Sequence, residues 1–391
     1  MRFNFKYSLL GCLLISIASL HGQPHPIGHS TITLTDTSRS NRSIPTEVYY
    51  PGTVAGDNVP LANGKFQTIA FGHGFVMTFD AYANIWKALV PNGFIVALPK
   101  TEGGASPSHG EFGKDLAFVL QWFQSAGKDN QSPFYNKIDT LNCVMGHSMG
   151  GGAAFLAAQQ KTVVKRIATL AAAETNPSAI LSAAGMNIPA LVIAGGNDCV
   201  TPPPNHQIPM YDALKSSCKS YVSINGGSHC QMAEDNFLCN FGEATCNPKP
   251  TITRAVQHSV LNRFLLPWLQ FQLRGDCTAG AMFDSLLNAD KSITARANCE
   301  LCKKATGATH LETAAVEVYP NPFRDVIHLK GVKSTMVSAE LFDASGRAVL
   351  QFLIRPAAEP LQLKKDLPGG LYLLRVNDGG NMFVQKMLKT D

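Results

Sequence analysis

The chemistry-bearing residues of this chain lie on three segments. Gly146-His147-Ser148-Met149-Gly150-Gly151 follows the apolar run Leu141–Gly146 and precedes the helix-forming stretch Ala153–Gln160. A serine flanked by glycines at a sharp strand-to-helix turn is the setting of a nucleophile elbow, because the crowded backbones leave no room for Cβ atoms on either side. Serine is a weak nucleophile at neutral pH. It needs an imidazole to take its proton and a carboxylate to fix the imidazole's tautomer, and in this arrangement both come later in the chain. Leu191-Val192-Ile193-Ala194-Gly195-Gly196-Asn197-Asp198 is an apolar run ending in a carboxylate. Tyr221-Val222-Ser223-Ile224-Asn225-Gly226-Gly227-Ser228-His229 is a second run, ending in an imidazole. Ser148, Asp198 and His229 are therefore the expected catalytic residues. Their chemistry is nucleophilic attack on an acyl carbonyl.

Competing groups are weaker in context. Asp212 lies in the helix-like Gln207–Lys215 and Asp235 in a polar loop, both positions for solvated carboxylates. His258 falls in a helical pattern, and His73 and His206 are the remaining nearby imidazoles. His147 adjoins the nucleophile but cannot point at its hydroxyl from a tight elbow, so it is expected to wall the pocket. The tetrahedral intermediate needs amide donors for its oxyanion. Met149, next to the nucleophile, is expected to give one, and Phe75 the other, from the glycine loop Gly72-His73-Gly74-Phe75 after the run Thr68–Phe71. As a pocket wall, His147 is also an expected substrate-binding residue. No metal or organic cofactor is needed.

The elements that must position these residues alternate in type. Strand-like runs at Phe66–Phe71, Phe94–Pro99, Leu141–Gly146, Ala190–Gly195 and Ser220–Asn225 alternate with helical patterns at Ala81–Val90, Glu111–Ser125, Gly150–Gln160 and Ile252–Leu273. Several strands are near-continuous apolar runs, as when helices cover both faces of a mostly parallel sheet. The fold class expected is α/β, an α/β-hydrolase fold, followed by a small all-β sandwich. Residues 303–315 read as a polar linker. Beyond it Val316–Tyr319, Val326–Lys330, Ala339–Asp343, Ala348–Leu353 and Leu371–Val376 are short β-type runs separated by turn signals.

Composition bounds the class. At 391 residues the chain is long enough for a large core plus a smaller module, and 45% hydrophobic with 16% charged residues is globular. Residues 1–22 have the layout of a signal peptide, with Arg2 and Lys6 before an apolar stretch and Gly22 at its close. Leu9-Leu10-Gly11-Cys12 superficially suggests lipoprotein processing, but the apolar run continues past Cys12. Removing this leader takes two cations from a formal charge of +5, too small an excess to imply nucleic acid. Nine of ten cysteines then remain, so one is unpaired. Export favours disulfides among Cys199, Cys218, Cys230, Cys239, Cys246, Cys277, Cys299 and Cys302, with connectivity open and Cys143 as the buried free thiol. No apolar run after the leader is long enough to span a bilayer. The chain is expected to act as a monomer.

Two resemblances sharpen this reading. Residues 23 to about 277 resemble the cutinase-like polyester hydrolases and the related dienelactone hydrolase and chlorophyllase-type enzymes, through Gly146–Gly151, Gly74-Phe75, Pro209-Met210-Tyr211-Asp212 and Ile224–His229. The resemblance implies a serine esterase in which Phe75 and Met149 also flank the acyl group. It departs at Ala171–Pro177, where polyester hydrolases usually carry a tryptophan that stacks on an aromatic monomer. Cysteine placement also differs, although a bridge after Asp198 and His229 could brace both catalytic loops. Residues 316–391, through Val318-Tyr319-Pro320-Asn321-Pro322-Phe323, Leu341-Phe342-Asp343 with Gly346-Arg347, Gly369-Gly370-Leu371-Tyr372-Leu373 and Lys386, resemble the C-terminal sorting domain of the type IX secretion system. That implies export to the surface or outside of a Bacteroidetes-type bacterium, with the secretion machinery as partner. The functional expectation is a secreted carboxylic ester hydrolase, with polyesters among its candidate substrates. A lipase, peptidase or acyltransferase with the same triad is the alternative within enzymes, and a non-catalytic surface-binding protein the alternative outside them. For the tail alone, a carbohydrate-binding or adhesive module is the competing reading.

Overall fold

The computed structural model describes residues 24–160, 162–299, 317–332, 337–343, 348–354, 360–363, 367–378 and 381–390. The expected leader and linker lie outside them. The chain divides into two compact units, whose described residues are 24–299 and 317–390.

The first unit is built on one ten-stranded sheet of β1 (Ile27–Asp36), β2 (Arg42–Pro51), β3 (Gly56–Asp57), β4 (Phe66–Gly72), β5 (Phe94–Pro99), β6 (Ile138–His147), β7 (Arg166–Leu170), β8 (Ala190–Gly195), β9 (Lys219–Ile224) and β10 (Ile293–Asn298), in the order β10-β9-β8-β7-β6-β4-β5-β2-β1-β3. The central run from β9 through β8, β7, β6 and β4 to β5 is parallel, while β2 against β5 and β10 against β9 are antiparallel. Strands β4, β5 and β8 are buried at every position, so both faces are covered and the sequence shows apolar runs in place of alternation.

The helices of this unit are α1 (Ala83–Leu89), α2 (His109–Ala126), α3 (Met149–Ala158), α4 (Ala179–Ala183), α5 (Gln207–Ala213), α6 (Phe237–Glu243), α7 (Arg254–Arg274) and α8 (Cys277–Ala289). Two apolar clusters mark the two faces of the sheet. Phe112, Leu116, Leu120 and Phe123 of α2 pack with Phe155 of α3 in one; Ile85 of α1 packs with Phe264, Leu265 and Trp268 of α7 in the other. Side-chain caps start the long helices, with Ser108 accepting from Glu111 N for α2 and Thr253 from Val256 N for α7. Among the described residues, no helix is long and apolar enough to cross a membrane.

The expected strands and the four expected helices are present, with ends shifted by a few residues. The structure adds β1, β2, β3, β7 and β10, and the short α4, α6 and α8, to the elements read from sequence. Disulfides join Cys199 to Cys246, Cys218 to Cys299 and Cys230 to Cys239. Cys277 is also disulfide-bonded, and Cys143 is a buried free thiol whose pKa is pushed up by desolvation.

The second unit has β11 (Glu317–Tyr319), β12 (Val326–Lys330), β13 (Val337–Phe342), β14 (Ala348–Ile354), β15 (Leu361–Gln362), β16 (Gly370–Asp378) and β17 (Asn381–Lys389). They form two antiparallel sheets, β11-β12-β15 and β14-β13-β16-β17, around a common core that includes Phe323, Ile327, Leu341, Leu374 and Met387. The small all-β module is as expected, with β15 and β17 added.

Candidate active site

Strand β6 runs into α3 with a single residue between them, Ser148, at φ 56° and ψ −122°. A non-glycine residue in that region carries strain of about 1–3 kcal/mol, held by the surrounding packing. The glycines around it permit the approach. A Cβ on Gly146 would lie 2.3 Å from Gly150 O, and one on Gly150 would lie 2.2 Å from Gly72 O. The elbow is thus wedged between its own helix and the end of β4. Ser148 N donates to Leu170 O at 3.0 Å, and Ser148 O accepts from Gly152 N at 3.0 Å and Ala173 N at 2.9 Å.

Asp198 and His229 leave the carboxyl ends of β8 and β9, the edge where open parallel sheets assemble sites. His229 Nδ1 lies 2.8 Å from Asp198 Oδ2, and both side chains are nearly inaccessible to solvent. The other carboxylate oxygen accepts from Val200 N at 2.9 Å and Thr201 N at 2.8 Å, while Thr201 Oγ1 donates to Oδ2 at 2.9 Å. A carboxylate oxygen accepts, so Nδ1 donates to Oδ2 and the lone pair is left on Nε2. Among the described residues, Ser148 Oγ makes no hydrogen bond to His229. In ligand-free sites that bond is often long and tightens when substrate binds.

Glu243, at the end of α6, is a residue that sequence reasoning missed. Its Oε1 accepts from His229 N at 2.8 Å and Cys230 N at 3.2 Å, and its Oε2 accepts from Ser228 Oγ at 3.0 Å. Buried Gln257 of α7 braces the same loop from a second side, accepting from Ser228 N at 2.9 Å and donating to Ser228 O at 2.8 Å. Cystines tie the α6 segment to both loops, Cys199–Cys246 beside Asp198 and Cys230–Cys239 beside His229. The bridging of the two catalytic loops therefore runs through α6 and not directly between Cys199 and Cys230.

His147 differs from expectation. It is fully buried, so it cannot wall a pocket. Its Nδ1 lies 3.0 Å from Tyr82 Oη and its Nε2 lies 3.2 Å from His229 O. The His229 carbonyl can only accept, so Nε2 carries the ring proton; in the neutral ring Nδ1 then accepts from Tyr82 Oη, which itself accepts from Gly74 N at 2.7 Å. A directed chain thus links the Gly74 loop, the elbow and the His229 loop. Burial, with a smaller contribution from His229, pushes the His147 pKa well below its ordinary value and keeps the ring neutral.

The two expected oxyanion donors have unengaged amides. Among the described residues, neither Phe75 N nor Met149 N donates a hydrogen bond, and Met149 is the first residue of α3, where helix geometry leaves amides free. The Phe75 side chain is 48% exposed; Met149 is buried at 3%. The rival groups lie elsewhere. Asp212 pairs with Arg296, and Asp235 is exposed beside Arg254. His258 contacts Ala233 O, and His73 is held between Gly74 O and Thr101 O. His206 accepts from Glu174 N at 2.9 Å. The described residues hold no cluster of three or more ligating side chains that could bind a metal ion.

Comparison with known proteins identifies the families that both units match. A family model described as PET hydrolase-like matches residues 22–244, and one described as the secretion system C-terminal sorting domain matches residues 317–390. Cutinase est1 of Thermobifida alba is 27% identical over 172 residues, covering 44% of this chain and 55% of that protein. Cutinase 2 of Thermobifida cellulosilytica is 26% identical, covering 44% and 63%. The bis(hydroxyethyl) terephthalate hydrolase of Streptomyces coelicolor is 26% identical, covering 46% and 54%. The chain spans little more than half the length of most of these curated relatives. Its tail is a sorting domain of type IX secretion, which directs the protein to the cell surface or beyond. With the family model covering more than half of the chain, up to the α6 segment that braces the His229 loop, this protein belongs to the PET hydrolase-like family.

Proposed function

We propose that residues 23–302 form a secreted serine esterase that hydrolyses carboxylic esters, polyesters among them, and that residues 316–391 engage the type IX secretion machinery. The observation that carries this reading is the buried 2.8 Å pairing of Asp198 with His229 Nδ1, beside a serine held at a strained elbow. In the proposed cycle His229 Nε2 takes the hydroxyl proton as Ser148 Oγ attacks the ester carbonyl. Asp198 stabilises the imidazolium, and the amides of Phe75 and Met149 receive the oxyanion. Collapse expels the alcohol, protonated by His229. Water, deprotonated by the same imidazole, then releases the acid from the acyl-enzyme.

Preorganised donors in a water-poor site are the largest expected contribution, with one oxyanion amide worth roughly 10²–10³ in kcat. The test is turnover of p-nitrophenyl butyrate by the wild type and by Ser148→Ala. The reading requires hydrolysis by the former and its loss in a folded variant; turnover retained by the variant refutes it.

A further inference from the structure

The segment that carries the Phe75 amide is a strained turn. Met77 N donates to Gly74 O at 3.1 Å and closes Gly74-Phe75-Val76-Met77 on itself, with Val76 at φ 49°. A β-branched residue in the left-handed region is disfavoured by its own side chain and stays there only where neighbours over-determine the backbone. The amide assigned to the oxyanion therefore sits on backbone that needs an external hold, and Gly74 is where the hold is applied. Its amide donates to Tyr82 Oη at 2.7 Å. The surroundings are close-packed as well, since a Cβ added to Gly74 would lie 2.7 Å from Met77 Sδ, 3.2 Å from Tyr82 Oη and 3.3 Å from His147 Nδ1.

Tyr82 is itself held in place. It ends the short 3₁₀ turn Phe79–Tyr82 that leads into α1, is fully buried, and packs its ring against Phe71 of β4 with centroids 4.7 Å apart. Burial pushes the phenol well above its ordinary pKa, so the hydroxyl keeps its proton. Two acceptors are in range of that proton, His147 Nδ1 at 3.0 Å and Met77 Sδ at 3.3 Å. A thioether accepts weakly, so the imidazole takes it. His147 Nε2 then donates to His229 O at 3.2 Å. Every group in this chain has one role: Gly74 N donates, the hydroxyl accepts and donates, the imidazole accepts and donates, and the His229 carbonyl accepts. A buried network satisfied at each step is rigid, and deleting one member orphans its neighbours.

We propose that Tyr82 is a positioning residue of the oxyanion hole: its hydroxyl anchors the Gly74 amide and so aims the Phe75 amide at the point where the tetrahedral oxygen develops. This rests on the esterase reading above and deepens it by assigning a role to a buried residue that touches no substrate. His147 orients the hydroxyl and carries the tie on to the backbone of His229, so one chain of hydrogen bonds holds both the oxyanion donor and the base. An amide placed for an oxyanion acts in the transition state and not in binding of the ester. A loosened turn therefore lowers kcat and leaves KM.

The test is Tyr82→Phe in the full chain, which deletes one oxygen atom. Tyr50→Phe is the matched control: Tyr50 is also buried, its hydroxyl donates to Val59 O at 2.7 Å, and its strand β2 carries none of the site residues. With p-nitrophenyl butyrate, Tyr82→Phe is expected to lower kcat by about 10- to 10²-fold with KM within about two-fold, while Tyr50→Phe leaves both unchanged at a similar loss of melting temperature. A trifluoromethyl ketone, which the serine converts to a hemiketal oxyanion, should lose affinity in Tyr82→Phe by the factor seen in kcat/KM, while the matched methyl ketone binds as before. Hydrogen exchange of peptides spanning 72–77 should quicken in Tyr82→Phe and not in Tyr50→Phe. Wild-type kcat in Tyr82→Phe overturns the proposal; so does a loss confined to KM, an equal loss of kcat in Tyr50→Phe, or unchanged exchange at 72–77. His147→Leu removes the acceptor that orients the hydroxyl and replaces Tyr82→Phe should that variant not fold; a folded His147→Leu with wild-type kcat and exchange overturns the proposal equally. A wild type that hydrolyses no ester removes the esterase reading instead, with exchange at 72–77 still deciding whether Tyr82 anchors the turn.

Discussion

Glu243→Ala removes the acceptor for three donors at once, the amides of His229 and Cys230 and the hydroxyl of Ser228. His229 is 2% exposed, so its orphaned amide cannot easily recover a partner from water. A hydrogen bond to a charged group contributes about 1.5–3 kcal/mol, and an unsatisfied buried donor costs a similar amount. The variant should therefore lose roughly 2–4 kcal/mol, less any relaxation of the loop. The cystines at Cys230 and Cys246 keep α6 attached, so the fold survives and the damage concentrates on the imidazole's position. A displacement near 1 Å costs on the order of 10²-fold in rate, and the loss should appear in kcat more than in KM. Glu243→Gln keeps one carbonyl oxygen for the two amides, while its NH₂ can donate to Ser228 Oγ. It should recover most of kcat. Stopped-flow or steady-state turnover of p-nitrophenyl butyrate, with melting curves for all three proteins, reads both quantities. A lowered melting temperature in Glu243→Ala with unchanged kcat would refute the positioning argument and leave Glu243 purely structural.

Two further outcomes follow from the same geometry. Asp198→Asn keeps the shape but lets the imidazole adopt the wrong tautomer, so kcat should fall by about 10⁴-fold with melting temperature little changed; a loss under ten-fold would remove Asp198 from the mechanism. Because burial lowers the His147 pKa below its unfolded value near 6.5, the unfolded chain binds more protons as pH falls through 6.5, and stability drops there by up to about 1.4 kcal/mol per pH unit. Denaturant melts from pH 8 to 5 should show that slope, and His147→Leu should flatten it; an identical slope in the variant assigns the acid sensitivity to other groups.

The legible parts of the fold were those whose residues have one physical role. Strands β4, β5 and β8 are buried on both faces and read as apolar runs, and the elbow is announced by glycines that no other residue can replace. Edge strand β10, with the sequence Ile-Thr-Ala-Arg-Ala-Asn, and the five-residue β7 carry too little pattern to separate from loops. Helix α6 was illegible for a different reason. Its apolar residues face water, and it is fixed by cystines and by Glu243, pairings that spacing leaves open. His147 shows the limit of adjacency. Being next to the nucleophile says that a side chain is close to the site, but its direction depends on Tyr82, 65 positions away, and on the carbonyl of His229. The candidate triad was readable because strand ends at one sheet edge converge; the supporting shell was not, because it comes from helices whose docking the sequence does not state.

The central claim is that Ser148 is a nucleophile activated by His229. Labelling the intact protein with a fluorophosphonate and mapping the adduct by peptide mass spectrometry tests it most directly. The account predicts one adduct, on Ser148, formed rapidly in the wild type, strongly slowed by His229→Ala and abolished by Ser148→Ala. An unlabelled Ser148 in folded protein, or equal labelling rates with and without the imidazole, would contradict it.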